Sequence, residues 1–165
     1  MSHTQFNKSV DVLVIGTGCG GLTAALTADI SNSSEGLIIE KSHLIGGTSA
    51  TSGGVIWIPE NHLAKNKGSK DSLTEAKEYL KATIPSTEFN EPLIDAYLDQ
   101  GPKMVKFLED NTDARYSSLE HYPDYFQDAP GVKLGNRALE PLPVSAETLK
   151  DDVDNLHPSG PQTIM

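Results

Sequence analysis

The run Asp11-Val-Leu-Val-Ile-Gly16-Thr-Gly18-Cys-Gly20-Gly21-Leu-Thr-Ala-Ala constrains the fold of this chain more than any other feature. Val12 to Ile15 is an unbroken apolar stretch, the pattern of a parallel strand buried on both faces. Gly16 permits a tight turn out of that strand, Gly18 lets the backbone approach a pyrophosphate, and Gly21 lets the next element pack closely on the sheet. The alanine-rich segment from about Gly20 to Ile30 then reads as a helix that aims its free N–H groups and positive dipole end at the phosphates. Cys19 reads as a small residue that fits the turn.

A second apolar run, Gly36-Leu-Ile-Ile, ends on Glu40 and Lys41. Glu40 follows Gly21 by 19 positions, close to the roughly 20 at which a carboxylate takes the ribose hydroxyls of a dinucleotide. The order strand, glycine turn, helix, strand, carboxylate predicts an α/β, Rossmann-like unit with a parallel sheet of the ββα-ββα type, incomplete in this chain. An acid at this place argues against a phosphorylated ribose, hence against NADP. The motif by itself leaves FAD and NAD open.

The next stretch, Ser42-His-Leu-Ile-Gly46-Gly47-Thr48-Ser49-Ala-Thr-Ser52-Gly53-Gly54-Val-Ile-Trp57-Ile-Pro59, is dense in glycine and hydroxyl residues. Such a loop offers N–H and O–H donors to phosphates and lets a flat ring approach the main chain. Trp57 and Ile58 argue against a solvated linker. Together, DVLVIGTGCGGLTAA and IIEKSHLIGGTSATSGGVIWIP resemble the N-terminal FAD-binding region of the fumarate reductase and 3-ketosteroid dehydrogenase flavoprotein family. Tyr122-Pro-Asp-Tyr125-Phe, Pro130-Gly131 and Gly135-Asn-Arg137-Ala-Leu-Glu140-Pro-Leu-Pro143 resemble its ketosteroid 1-dehydrogenase branch. The resemblance runs from about Val10 to Pro143.

That resemblance implies FAD bound in an extended form. It puts Gly16, Gly18 and Gly21 at the pyrophosphate, Glu40 at the ribose, and Gly47, Thr48 and Ser49 along the pyrophosphate and ribityl chain. Ser52, Gly53 and Gly54 fall near the flavin ring, and Gly20, Lys41 and Gly46 complete the candidate cofactor-binding set. The implied chemistry takes a proton from C2 of a steroid and a hydride from C1 to flavin N5, while an acid polarises the C3 carbonyl. One assisting tyrosine is expected from this part of the family's fold. Tyr116, Tyr122 and Tyr125 are the candidates, with Tyr122 and Tyr125 favoured by their place in the YPDYF stretch.

Members of the family run to several hundred residues with a separate substrate domain. The chain is therefore expected to be the N-terminal part of a larger flavoprotein, with the main catalytic base beyond Met165. A fumarate-reductase-like enzyme that reduces an activated double bond is the alternative; it would need an arginine or histidine cluster for carboxylates, and Arg115 and Arg137 are the only arginines. A truncated, non-catalytic fragment is the third reading.

Three segments are expected: the dinucleotide-binding βαβ unit over 1–60, a helical covering segment over 61–110, and an irregular, loop-rich segment over 111–165. In the second, Ser72-Leu-Thr-Glu75 predicts a capping box opening a helix to about Ala82. A further helix spans Pro92 to Asp110, with Leu93, Ala96, Tyr97, Met104, Phe107 and Leu108 as its apolar stripe and a break at Gly101-Pro102. Asn61 to Asp71 reads as a solvated loop, and Asn111 to Pro143 as the place for substrate contacts.

A formal charge of −10 argues against nucleic acid and anionic membranes as partners. A steroid-like small molecule and an electron acceptor are the partners the resemblance implies. The single cysteine precludes an internal disulfide and fits a reducing compartment. His3, His43, His62, His121 and His157 show no paired ligand spacing, so no metal is expected. Residues 1–8 lack an apolar signal-peptide core, and no apolar run approaches a membrane span; a cytoplasmic location is expected. Residues 158–165 carry no helix or strand signal.

Overall fold

A computed structural model describes residues 8–31 and 35–158; the expectations for residues 1–7 and 159–165 lie outside them. The described chain separates into two compact units, one of residues up to Gly53 together with Val144 onward, the other Gly54–Pro143.

In the first unit β1 (Val12–Ile15) and β2 (Gly36–Ile39) pair in parallel, with Leu13 opposite Leu37 and Ile15 opposite Ile39. The α1 helix (Cys19–Ile30) connects them, as a parallel pair requires. Alternation along β1 turns Val12 and Val14 towards Ala25 and Ala28 of α1, whereas Leu13 and Ile15 point the other way. Val14 is buried, but Leu13 is 53% and Ile15 78% exposed. The expectation of a strand buried on both faces is thus corrected: among the described residues β1 has a single strand neighbour, and α1 lies over its Val12 and Val14 face only. The α2 helix (Gly47–Thr51) folds a segment that reads from sequence as an open loop. After α6 (Ala146–Leu149) and a 3₁₀ turn (Lys150–Asn155), Leu156 lies parallel to Ile45, and the Ile45 and His157 amides donate to Asn155 and Ile45 carbonyls at 2.7 and 2.8 Å.

The second unit carries a three-stranded antiparallel sheet in the order β3 (Ile56–Trp57), β5 (Ala138–Pro141), β4 (Tyr116–Ser118), together with α3 (His62–Asn66), α4 (Leu73–Thr83) and α5 (Glu91–Asn111). Its core is Ile58, Val105 and Leu139, with Leu63, Met104 and Tyr116 packed around them. Residues 54–60 belong here because β3 pairs with β5, and the expected irregular tail holds two strands and, from Val144, returns to the first unit.

Local signals explain most of these elements. Ser72 caps α4, its Oγ accepting from the Glu75 amide at 3.2 Å and donating to the Glu75 carboxylate at 2.9 Å. The expected solvated loop at 61–71 instead starts with α3. Asn61, fully buried, accepts from the Ala64 amide and donates to the Ile58 and Asn136 carbonyls. The α5 helix runs through Gly101-Pro102 without the expected break, and its buried stripe is Leu98, Gly101, Val105 and Leu108. The stripe turns this way because Gly101 seats against Ile58, while Leu93 faces solvent and the Tyr97 hydroxyl donates to the Trp57 carbonyl. No helix among the described residues is long and apolar enough to cross a membrane.

Candidate functional site

The first unit brings the turn after β1 against the end of β2. Gly16, at φ +95°, donates its amide to the Ile39 carbonyl at 2.7 Å. A Cβ on Gly21 would stand 2.1 Å from the Gly16 carbonyl oxygen, so only glycine lets α1 begin this close to the turn. Thr17, a residue the motif reading passes over, ties the site together. Its amide and hydroxyl donate to Glu40 Oε2 at 2.9 and 2.6 Å, and its Oγ1 accepts from the buried Gly46 amide at 2.9 Å. The Ser42 amide donates to Glu40 Oε1 at 3.0 Å. Ser49 Oγ accepts from the Cys19 amide at 3.0 Å at the start of α1. The signal for Thr17 in the sequence is its place between Gly16 and Gly18, where a hydroxyl faces the end of the neighbouring strand.

Among the expected residues, then, Gly16, Gly18, Gly21, Glu40, Gly46 and Ser49 share one cradle at the carboxyl ends of β1 and β2, where doubly wound sheets hold ligands. Gly20 is exposed at the first turn of α1, and Lys41 is exposed beside Glu40. Gly47 and Thr48 open α2, and Ser52 and Gly53 close the unit, whereas Gly54 is the first residue of the second one. No acidic side chain occupies the first turn of α1, which leaves its amide dipoles to an anion.

The Thr17 hydroxyl, helped by the Ser42 and Thr17 amides, lowers the Glu40 pKa from 4.5 to about 2. A carboxyl depressed in the folded state stabilises it fully above pH about 4.5 and ceases to do so as the pH falls through about 2. Urea unfolding of the first unit, followed across that window, is expected to show stability falling with pH. Thr17→Val should flatten this step, and an unchanged slope in the variant would show that Glu40 is not the titrating group.

The second unit contains a pocket of ≈ 460 Å³ lined chiefly by apolar atoms, among them those of Val55, Trp57, Leu80 and Phe126. Its size falls within the roughly 300–1,000 Å³ of small-molecule sites. Tyr122 and Tyr125 both line it, their hydroxyls 3.5 Å apart. The Tyr125 hydroxyl raises the Tyr122 pKa above its ordinary 10.0. Tyr116, the third candidate, packs in β4 against the core and does not line this pocket. Asp124, also at the wall, is buried and joins a cluster that sequence reading does not reveal. Arg137 grips Asp71 with a two-pronged contact at 3.0 and 2.7 Å and donates to Asp124 Oδ2 at 2.8 Å. Its guanidinium carbon lies 5.4 Å from the centre of the Trp57 ring. Among the described residues no group of three or more His, Cys, Asp or Glu is placed to hold a metal ion.

The glycine turn, the helix start and the fixed carboxylate define a dinucleotide-binding α/β unit. The chain belongs to the FAD binding domain family, whose model matches residues 11–148. It is 39% identical over 153 residues to a 3-oxosteroid 1-dehydrogenase of Mycobacterium tuberculosis, a match covering 92% of this chain and 27% of that protein. It is 40% identical over 154 residues to a 4-oxocyclohexanecarboxylate 2-dehydrogenase of Sinomonas cyclohexanicum, covering 93% of this chain and 26% of that protein. The crystal structure of the 3-ketosteroid Δ1-dehydrogenase from Sterolibacterium denitrificans, in complex with 1,4-androstadiene-3,17-dione, superposes with a TM-score of 0.84 at 40% identity, covering 93% of this chain and 27% of that one. The chain thus spans about a quarter of the length of these relatives.

FAD is the cofactor of this fold, and the cradle fits it. Glu40 Oε1 takes one amide and so retains acceptor capacity for a ribose hydroxyl, and the start of α1 presents amides and no competing acid.

Proposed function

We propose that this chain is the FAD-binding N-terminal part of a cytoplasmic flavoenzyme that dehydrogenates a 3-ketosteroid-like substrate beside its ring carbonyl. The observation that carries this reading is the apolar ≈ 460 Å³ pocket edged by two tyrosine hydroxyls, in a chain that is 39–40% identical to two ring-ketone dehydrogenases. The names of both relatives put the dehydrogenated carbon two positions from the oxo carbon. That pattern suits removal of a proton next to the carbonyl and of a hydride from the following carbon. Flavin, when bound, supplies the hydride acceptor.

For the cofactor we assign Gly16, Gly18, Gly20 and Gly21 to the pyrophosphate and Glu40 to the ribose, with Lys41 beside it. We assign Gly46, Gly47, Thr48 and Ser49 to the pyrophosphate and ribityl chain, and Ser52, Gly53 and Gly54 to the flavin ring. On this reading Tyr122 or Tyr125 assists at the proton-losing carbon. The principal base belongs to sequence that the relatives carry outside the matched region. The apolar face of Leu13 and Ile15 left uncovered on β1 supports a longer protein whose further elements complete the sheet. The single cysteine supports a reducing, cytoplasmic setting.

The alternative, a reductase of a small unsaturated acid, would need its carboxylate-binding arginines from outside this chain. Arg137 is consumed by Asp71, Asp124 and the Gly131 carbonyl, and Arg115 donates to the Thr112 and Ala114 carbonyls.

The complete FAD-loaded protein is expected to oxidise a 3-ketosteroid in the presence of an artificial electron acceptor. Absence of turnover with every 3-ketosteroid tried would overturn the reading. Of Tyr122→Phe and Tyr125→Phe, one is expected to lose about 10²-fold in kcat, the scale of a positioned proton-transfer group; full activity in both would remove the tyrosines from the chemistry.

A further inference from the structure

Residues 119–137 form a long connection between two neighbouring strands, β4 and β5, with no helix or strand of its own. A loop of that length is expected either to move or to be held by specific contacts. Here it is held, and the contacts converge on Asp124. Its Oδ1 accepts from Trp57 Nε1 at 2.6 Å, and its Oδ2 accepts from Arg137 at 2.8 Å and from the Lys133 amide at 2.9 Å. The Asp124 amide donates to the Lys133 carbonyl at 2.9 Å. Two residues on, the Phe126 amide donates to the Tyr79 hydroxyl at 3.1 Å. Arg137 is itself fixed from below by the two-pronged contact with Asp71.

The arrangement alternates anchor and tool. Asp124 is 5% exposed, whereas Tyr122 and Tyr125 on either side are 42% and 82% exposed and line the pocket. Among the described residues, the hydrogen bond to either phenol is the 3.5 Å contact between the two hydroxyls, too long to lock either ring. Their placement is therefore inherited from the backbone at 122–126, and that backbone is tied down through the Asp124 carboxylate.

We propose that Asp124, clamped between Trp57 and Arg137, is a positioning residue that sets the Tyr122 and Tyr125 hydroxyls against a bound ring ketone. The inference rests on the ring-ketone reading of the pocket, and its test separates the two. In the complete FAD-loaded protein, Asp124→Asn keeps the side-chain shape but removes the charge that Arg137 holds. It is expected to retain FAD and the slow amide exchange of β4 and β5, while the amides of 122–126 exchange about tenfold or more faster, as a locally released segment does. In turnover, kcat should fall about 10²-fold, the cost of a displacement near 1 Å at a reacting group.

A double-mutant cycle distinguishes positioning from general destabilisation. Added to the phenylalanine variant of the assisting tyrosine, Asp124→Asn should cost nothing further, since the hydroxyl it places is already gone. Multiplying losses, or unchanged exchange at 122–126, would overturn the role. If Asp124→Asn does not fold, Trp57→Phe removes a single neutral donor and leaves the ion pairs whole; faster exchange at Asp124 and Phe126 is expected there, and its absence counts against the proposal. If the unmutated protein turns over no ring ketone, the substrate reading fails and the exchange data alone decide whether Asp124 holds the loop.

Discussion

Replacing Arg137 by alanine is expected to destabilise the second unit by about 3–5 kcal/mol, the scale for breaking a buried ion pair by removing one partner. The Arg137 side chain is 1% exposed, and the carboxylates of Asp71 and Asp124 that it bridges are 8% and 2% exposed. Alanine would leave two desolvated charges without their cationic partner and the Gly131 carbonyl without this donor, and would remove the cation from the face of Trp57. Burial by itself pushes the Asp71 carboxyl up; the Arg137 guanidinium outweighs this and holds it below its ordinary 3.8. In the variant only burial and the amides of Ser72 and Glu60 remain.

The pH dependence follows from those signs. In the unmutated protein the depressed Asp71 contributes stability above pH about 3.8 and loses it on acidification. In Arg137→Ala the Asp71 carboxyl is easier to protonate, so acid relieves the variant while it weakens the original. The gap between the two should therefore narrow as the pH falls. Urea unfolding read by Trp57, the chain's one tryptophan, measures both quantities. Arg137→Lys should recover little, because an ammonium cannot form the two-pronged contact with Asp71 while also reaching Asp124. A loss below 1 kcal/mol, or a gap that does not change with pH, would mean that solvent screens the cluster despite its burial.

This cluster also shows where the sequence ceases to be informative. The βαβ unit is legible because its signals, apolar runs and a glycine turn, are local, and so is the capping pattern at Ser72 that opens α4. The same holds for Glu40, whose spacing from the glycines is fixed by the length of one helix and one strand. Asp71 and Arg137 stand 66 positions apart, and nothing in either neighbourhood marks them as partners. Asn61 fails for the opposite reason. In a run of lysines and asparagines it looks solvated, yet its amide is the internal bridge between the Ile58 and Asn136 carbonyls. The expected and observed α5 stripes share Leu108, and expected Met104 packs on the core; they part at Leu93, because a large apolar residue weighs more than a glycine in any apolar count. The packed face is the one on which Gly101 admits Ile58.

The helix start offers the other large effect. Gly21→Ala is expected to disrupt the first unit and its grip on FAD together, because the added Cβ would sit 2.1 Å from the Gly16 carbonyl oxygen, 3.1 Å from its carbonyl carbon and 3.4 Å from a Val14 methyl. The obstruction is backbone and cannot rotate aside, so either α1 lifts from β1 or the Gly16 turn opens. Overpacking of this kind costs about 1–3 kcal/mol, which corresponds to roughly 10- to 100-fold in affinity if it falls on the binding-competent arrangement. The Gly16 amide bond to Ile39 and the Thr17 contacts to Glu40 lie within the same turn, so movement there also releases the carboxylate. Gly36→Ala, in β2 of the same unit and outside the cofactor cradle, is the control: no atom outside its immediate surroundings lies within 4 Å of the added Cβ. Titration of the complete apoprotein with FAD, followed by flavin fluorescence, should show weakened binding for Gly21→Ala alone. Equal losses in the two variants would mean that general loosening of the unit, and not the close approach of helix to turn, limits the binding of FAD.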